Sequence, residues 1–351
     1  MIRVVIVDDS ALMRKLLTSI LSSDPEIEVA GAARDPLVAR DMIKQTNPDV
    51  VTLDIEMPRM DGLSFLEKIM TLRPMPVVMI SSLTQDGADA TLKALEIGAV
   101  DVVGKPAMDL TSGLEEMGSD IVERVKIAAR ARVRGGRRSA PARPATSTGL
   151  AFRSTEKIIA IGASTGGVEA LRDVICDLPS DSPAILVTQH MPAKFTSTFA
   201  ARLDALARVA VCEARAGQRV LPGHVYIAPG DRHLELDRSG ANYLCRLTDE
   251  APVSGHRPSV DVLFQSVARV AGENSVGVIL TGMGRDGAAG LLSMRQSGAR
   301  TLGQDEATCV VYGMPRAAFL AGAVERQVPL SGIPAALLDA CGGAKVRAVR
   351  V

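Results

Sequence analysis

Through the first 129 positions, short runs of β-branched apolar residues alternate with stretches whose apolar positions recur every three or four residues. The runs are IRVVIV from residue 2, EVAGA from 28, DVVTLD from 49, PVVMIS from 76 and VDVVG from 100. The helical patterns start at Ala11, at Pro36, after Gly62 and at Asp86. Parallel strands need crossover helices, so this alternation predicts a five-stranded, parallel, doubly wound α/β sheet. Such sheets carry their working groups at the carboxyl ends of the strands.

The second half repeats the pattern with more variation. KIIAIGAS from 157 leads into a helical stretch, AILVTQH from 184 precedes a helix around 195–207, and RVAVCEA from 208 forms a third run. A β-rich stretch follows (HVYIAPG, RHLELD, NYLCRL), then a helix from Ser259, SVGVILTG from 275 and a helix from Asp286. The expectation is a second doubly wound α/β domain with a β-hairpin insertion. Between the halves, residues 130–153 hold seven Arg, no acid and a high share of Pro, Gly, Ser and Thr, the composition of a solvated tether. The predicted organisation is a domain over 1–129, a linker over 130–153 and a domain over 154–351.

Composition narrows the class. Apolar residues make up 47% of the 351, aromatics only 3% and Trp none, so aliphatic side chains and Met must fill the cores. Net charge is +0, against a surface built as a whole for nucleic acid or an anionic membrane. The five Cys lie in the second half without metal-type spacing and read as buried hydrophobes in a reducing compartment. No signal-peptide pattern and no run of 18 apolar residues is seen, so a soluble, cytoplasmic protein is expected.

Two sets of polar residues fall at strand ends. In the first half these are Asp8 and Asp9, Asp54, the serines Ser81 and Ser82, and Lys105. Carboxylates crowded in one pocket repel and call for a cation, and hard oxygen ligands suit Mg²⁺. Any one of these acids alone reads equally well as a helix cap.

The segments VVIVDDSALMRK, PDVVTLDIEMPRMDG, PVVMISS and GKPA resemble the receiver domain of bacterial response regulators. The resemblance implies that Asp54 accepts a phosphoryl group and that Asp9 binds Mg²⁺ directly, with Asp8 assisting. It also implies a ligand from the backbone carbonyl of Glu56, a switch hydroxyl on Ser81 and a phosphoryl contact from Lys105. Receivers often carry an aromatic three residues before this lysine; Val102 stands there, which puts aromatic switching in doubt.

In the second half, IIAIGASTGGVEAL runs a strand through a glycine-flanked serine into a helix. A dinucleotide fingerprint would need Gly at 164, and a P-loop would need Lys after Gly167. The segment instead fits G-x-S-x-G over Gly162, Ser164 and Gly166, which displays a nucleophile above a sheet but also occurs as a plain turn. A serine needs a base. Among four His, His190 ends an apolar run, His224 starts a strand, His233 sits in the β insertion, and His256 lies in a loop before a helix; strand-end placement favours His190, with His256 as rival. Asp286, in a glycine-rich turn after a strand, suits the acid of a triad and equally a helix cap. Asp261 is the alternative, expected to face solvent.

The segments IGASTGG, TQHMP, LPGHVYIAPGD, HRPSVDVLF and LTGMGRDGAAG, joined to a receiver, resemble the chemotaxis-specific protein-glutamate methylesterases of bacteria. The resemblance implies a serine esterase with Ser164, His190 and Asp286 as triad, acting on glutamate methyl esters of chemoreceptors and on receptor glutamines. Backbone N–H groups of Thr165 and Met283 are the expected oxyanion donors. A chemotaxis histidine kinase would supply phosphate; Mg²⁺ would serve only the receiver, with no cofactor for the esterase. A monomer without nucleic-acid binding or membrane insertion is expected. A DNA-binding output has no supporting motif after residue 153, whereas a receptor-binding adaptor without catalysis stays open on pattern alone.

Overall fold

The computed structural model describes residues 1–57, 60–81, 85–105, 113–133 and 157–342, with backbone alone at 85–88 and 113–117. It forms two compact units, Met1–Arg143 and Pro144–Val351. Most of the Arg-rich segment, together with Ser82, lies outside the described residues.

The first unit follows the predicted alternation: β1 (Ile2–Val7), α1 (Ala11–Ser22), β2 (Ile27–Ala33), α2 (Pro36–Thr46), β3 (Val50–Asp54), α3 (Gly62–Leu72), β4 (Val77–Ser81), α4 (Gln85–Ile97), β5 (Asp101–Gly104) and α5 (Gly113–Arg130). Caps mark the helix starts that the sequence suggests. Ser10 accepts the N–H of Met13, Asp35 those of Leu37 and Val38 ahead of Pro36, and Asp61 that of Ser64. The sheet order is β2-β1-β3-β4-β5, all parallel. From β1 the chain turns first to β2 on one side and later to β3 on the other. The carboxyl ends of β1 and β3 therefore open the crevice where such folds bind ligands. Val5, Val7, Leu53, Met79, Leu66 and Phe65 are among the buried residues of its core.

The second unit contains β6 (Ile158–Ala163), α6 (Gly167–Cys176), β7 (Ala184–Gln189), α7 (Ala193–Leu206), β8 (Ala210–Glu213), β9 (His224–Ile227), β10 (His233–Ser239), β11 (Asn242–Thr248), α8 (Val260–Val270), β12 (Ser275–Ile279), α9 (Ala288–Gln296), β13 (Arg300–Gln304), α10 (Met314–Leu320), β14 (Arg326–Val328) and α11 (Ile333–Gly342). Seven parallel strands run in the order β14-β13-β12-β6-β7-β9-β8, and β10 and β11 pair antiparallel as a separate hairpin. β6 again sits at a reversal, with β7 on one side and β12 on the other. The central strands β6, β7 and β12 are buried on both faces, which explains their near-continuous apolar runs. Helix α8 lies close on β6: a Cβ at Gly162 would come within 2.2 Å of Val260. The first glycine of G-x-S-x-G therefore makes room for a helix, and the turn itself depends on Gly166, whose φ is +75°.

Candidate active site

In the first unit, Asp8, Asp9 and Asp54 offer carboxylate oxygens that lie within 4.8 Å of one another. Asp8 and Asp54 are buried, and Asp9 is exposed. Lys105 Nζ donates to Asp54 Oδ2 at 2.7 Å and lies 3.6 Å from Asp8 Oδ2, which has no hydrogen-bond donor among the described residues. Burial pushes both carboxyls above their ordinary value, and Lys105 only partly offsets it. Burial alone would lower Lys105, but its hydrogen bond to Asp54 and the surrounding carboxylates hold it above its usual value. An orphaned buried oxygen within a cluster of hard ligands fits a divalent cation such as Mg²⁺. The backbone N–H of Glu56 donates to Asp54 Oδ1 at 3.2 Å, orienting the acid from the loop after β3. Ser81 ends β4, and its carbonyl accepts the N–H of Lys105 at 2.8 Å. Val102 is half-buried on β5 and packs against the core.

In the second unit, Ser164 follows β6, His190 follows β7 and Asp286 lies in the loop after β12. The parallel register sets these ends side by side at the reversal point. His190 Nδ1 is 3.1 Å from Ser164 Oγ, and His190 Nε2 is 2.8 Å from Asp286 Oδ2. Asp286 is buried, and burial alone would raise its carboxyl. Its contacts with His190 and with the N–H groups of Val260 and Asp261 outweigh that and hold it below the usual carboxylate range. An ionised carboxylate only accepts, so the proton of a neutral His190 sits on Nε2 and leaves Nδ1 to accept from the serine hydroxyl. The ring is used the other way round from the chymotrypsin-type triad, in which Nε2 faces the serine.

Asp286 does not cap its own helix. Its Oδ1 accepts from Ser259 Oγ at 2.8 Å and from the N–H of Asp261 at 3.0 Å, and its Oδ2 accepts from the N–H of Val260 at 2.7 Å. The acid thus stands at the positive end of α8, which favours its ionised form. Asp261 is buried and accepts the N–H of Gly290 at 2.6 Å, which corrects the expectation that it faces solvent. The first turn of α8 is packed against the start of α9, so an acid there points into the protein.

Two residues outside the sequence expectations also build the site. The buried Gln189 amide donates to the carbonyls of Ser164 at 2.9 Å and His190 at 3.1 Å, tying the nucleophile's turn to the base's strand end. A polar residue ending an apolar run and immediately preceding a candidate base is the signal that marks it. Gly282, the second, approaches so closely that a Cβ there would lie 2.8 Å from Ser164 Cβ, which brings the Met283 segment beside the serine. The N–H of Ser164 donates to Thr281 across the same gap, and the carbonyl of Thr165 accepts from Thr281 Oγ1 at 3.0 Å.

Two of the other histidines are engaged elsewhere, and the third meets the base. His224 bonds the carbonyl of Pro222, and His233 links Ser259 to Ala251. His256 stacks on His190, and its Nδ1–H donates to the carbonyl of Ser254 at 2.8 Å, whereas the ring nitrogen placed 3.1 Å from Ser164 Oγ is that of His190.

A family model described as CheB methylesterase matches residues 159–337, and one described as response regulator receiver domain matches residues 4–114. The protein-glutamate methylesterase/protein-glutamine glutaminase of Chromohalobacter salexigens is 60% identical over 337 residues, covering 96% of this chain and 95% of its own. A relative of the same description from Cupriavidus pinatubonensis is 57% identical over 351 residues, covering 100% of this chain and 99% of its own. The crystal structure of the Thermotoga maritima CheB methylesterase catalytic domain is 38% identical with a TM-score of 0.51, covering 52% of this chain and 97% of that one. With both family models matched in this order and identity sustained over nearly the whole length, the chain belongs to the CheB methylesterase family, a receiver domain preceding the methylesterase domain.

Proposed function

We propose that this protein is a phosphorylation-controlled serine esterase that hydrolyses glutamate methyl esters on chemoreceptors and deamidates receptor glutamines. The observation that carries the chemistry is the chain of contacts from Ser164 through His190 to a buried, ionised Asp286. Ser164 Oγ attacks the ester carbonyl as His190 Nδ1 takes its proton, and Asp286 stabilises the imidazolium. Backbone N–H groups of Thr165 and Met283 receive the developing oxyanion; one such donor typically contributes about 10²–10³ in kcat. As the intermediate collapses and its bond to the leaving group breaks, His190 returns the proton to the methoxy oxygen, releasing methanol, or to the amide nitrogen, releasing ammonia. Water, activated by the same base, then releases glutamate from the acyl-enzyme.

In the receiver, residues 1–129, Asp54 accepts phosphate from a chemotaxis histidine kinase. Asp9 and Asp54, assisted by Asp8 and joined by the Glu56 carbonyl, would hold Mg²⁺. The ion would neutralise charge on the phosphoryl oxygens. Lys105, already on Asp54, and Ser81 at the end of β4 respond to the roughly −1.5 to −2 charges that phosphorylation adds. The linker over 130–153 tethers this domain to the esterase, residues 154–351, which the unphosphorylated receiver restrains. No described helix is long and apolar enough to cross a membrane. In this reading the protein acts in the cytoplasm as a monomer on the receptors' cytoplasmic helices, without nucleic-acid binding or membrane insertion. Deleting residues 1–150 should raise demethylation above that of the unphosphorylated whole; a truncated enzyme no faster than the whole would contradict the restraint.

A further inference from the structure

The segment HRPSVD, residues 256–261, meets the triad at several points. Ser259, Val260 and Asp261 hold Asp286, as described. His256 meets the base. Its imidazole lies flat on that of His190, with ring centroids 3.7 Å apart and planes 9° from parallel. The backbone that carries it is a tight two-residue turn. Val253 and His256 exchange both backbone hydrogen bonds, at 3.1 and 3.0 Å, around Ser254 and Gly255 with φ of 53° and 79°. Two successive left-handed residues are the mark of a type I′ turn, and Ser254 adopts a conformation that non-glycine residues rarely take. His256 Nδ1–H donates to the carbonyl of Ser254 at 2.8 Å, which fixes the second ring within its own turn. The adjoining Arg257 turns elsewhere, to the carbonyls of Asp249 and Glu250 and toward Asp231.

We propose that His256 is a positioning residue for the base: its ring lies against one face of His190 and keeps the imidazole in the plane that joins Ser164 to Asp286. The hydrogen bonds of His190 act at its two nitrogens, Nδ1 and Nε2. They fix the ring edge at both points but resist rocking about the line between them only weakly. A flat partner 3.7 Å away opposes that motion. The role belongs to the face of the ring rather than its nitrogens, so a ring without nitrogen should serve. The inference rests on the esterase reading of Ser164 and His190.

The test is steady-state methanol release from methylated receptor membranes by the full-length protein with Mg²⁺ and a small phosphodonor. It compares wild type with His256→Ala, His256→Gln, His256→Phe and Ser164→Ala. His256→Ala and His256→Gln should lower kcat about 10- to 100-fold with KM within about twofold, and His256→Phe should return kcat to within about fivefold of wild type. Kinetics equal to Ala or Gln in the Phe variant, wild-type kcat in His256→Gln, or a loss confined to KM would each overturn the proposal. If His256→Ala does not fold by circular dichroism, Phe against Gln decides, since both fill the space and only Phe has a ring. Release that persists in Ser164→Ala overturns the serine reading and this proposal with it; release that needs Ser164 but ignores position 256 overturns this proposal alone.

Discussion

Asp261 and Asp286 exchange helix ends: Asp286 accepts the N–H groups of Val260 and Asp261 at the start of α8, and Asp261 accepts the N–H of Gly290 in the first turn of α9. Each carboxylate satisfies donors that an isolated helix leaves unpaired, and the pair locks α8 and α9 together under the triad. Burial raises the Asp261 carboxyl above its ordinary value despite the N–H of Gly290, and the nearby Asp286 adds to the rise.

Asp261→Ala should therefore destabilise the esterase unit by about 1–2 kcal/mol, the loss expected of a helix cap. Asp261→Asn keeps an acceptor and removes a like charge beside Asp286, so its loss should be smaller. Urea unfolding of both variants checks this, and equal losses would contradict it.

Asp286→Asn tests the assigned tautomer. An amide nitrogen facing His190 Nε2 donates, which moves the imidazole proton to Nδ1 and deprives Ser164 of its acceptor. A kcat drop of about 10⁴, with the melting transition still cooperative, is the expected outcome, as in triads where the acid is made an amide. A drop below tenfold would mean that Asp286 does not set the tautomer.

The receiver should show opposite responses to acid with and without metal. Asp8 and Asp54 titrate above the ordinary carboxylate value because they are buried, so the folded unit binds protons more tightly than the unfolded chain. Without metal, stability then falls as pH rises through the window from the unfolded value, about 3.9, to the raised folded values. Mg²⁺ binds the ionised acids and stabilises by mass action, so its effect should be largest near neutral pH and fade through the same window on acidification. Thermal melts with MgCl₂ or EDTA measure both trends. A Tm at neutral pH that ignores Mg²⁺, or an Asp9→Ala variant with an unchanged Mg²⁺ response, would contradict the assignment.

Much of this was legible because both sheets are parallel and doubly wound. Apolar runs that stop at a polar residue place Asp9, Asp54, Ser164 and His190 at strand ends, and the reversal of strand order brings those ends together. What the sequence did not reveal depends on contacts between distant segments. Asp261 reads as a surface acid until α9 is seen against it. Gly162 reads as part of a nucleophile turn until Val260 is seen above it. The stack of His256 on His190 joins loops 66 residues apart and leaves no trace in either local pattern. Beyond residue 297 the local pattern is weak: β14 has three residues, and β13, RTLGQ, mixes polar positions into a buried strand.

The most direct measurement is methanol release from methylated receptor membranes by the full-length protein and by Ser164→Ala, each with and without Mg²⁺ and a small phosphodonor. Release that requires Ser164 and rises when the phosphodonor is added is the predicted result. Equal release from the two proteins, or none from either, would contradict a serine esterase switched by its receiver.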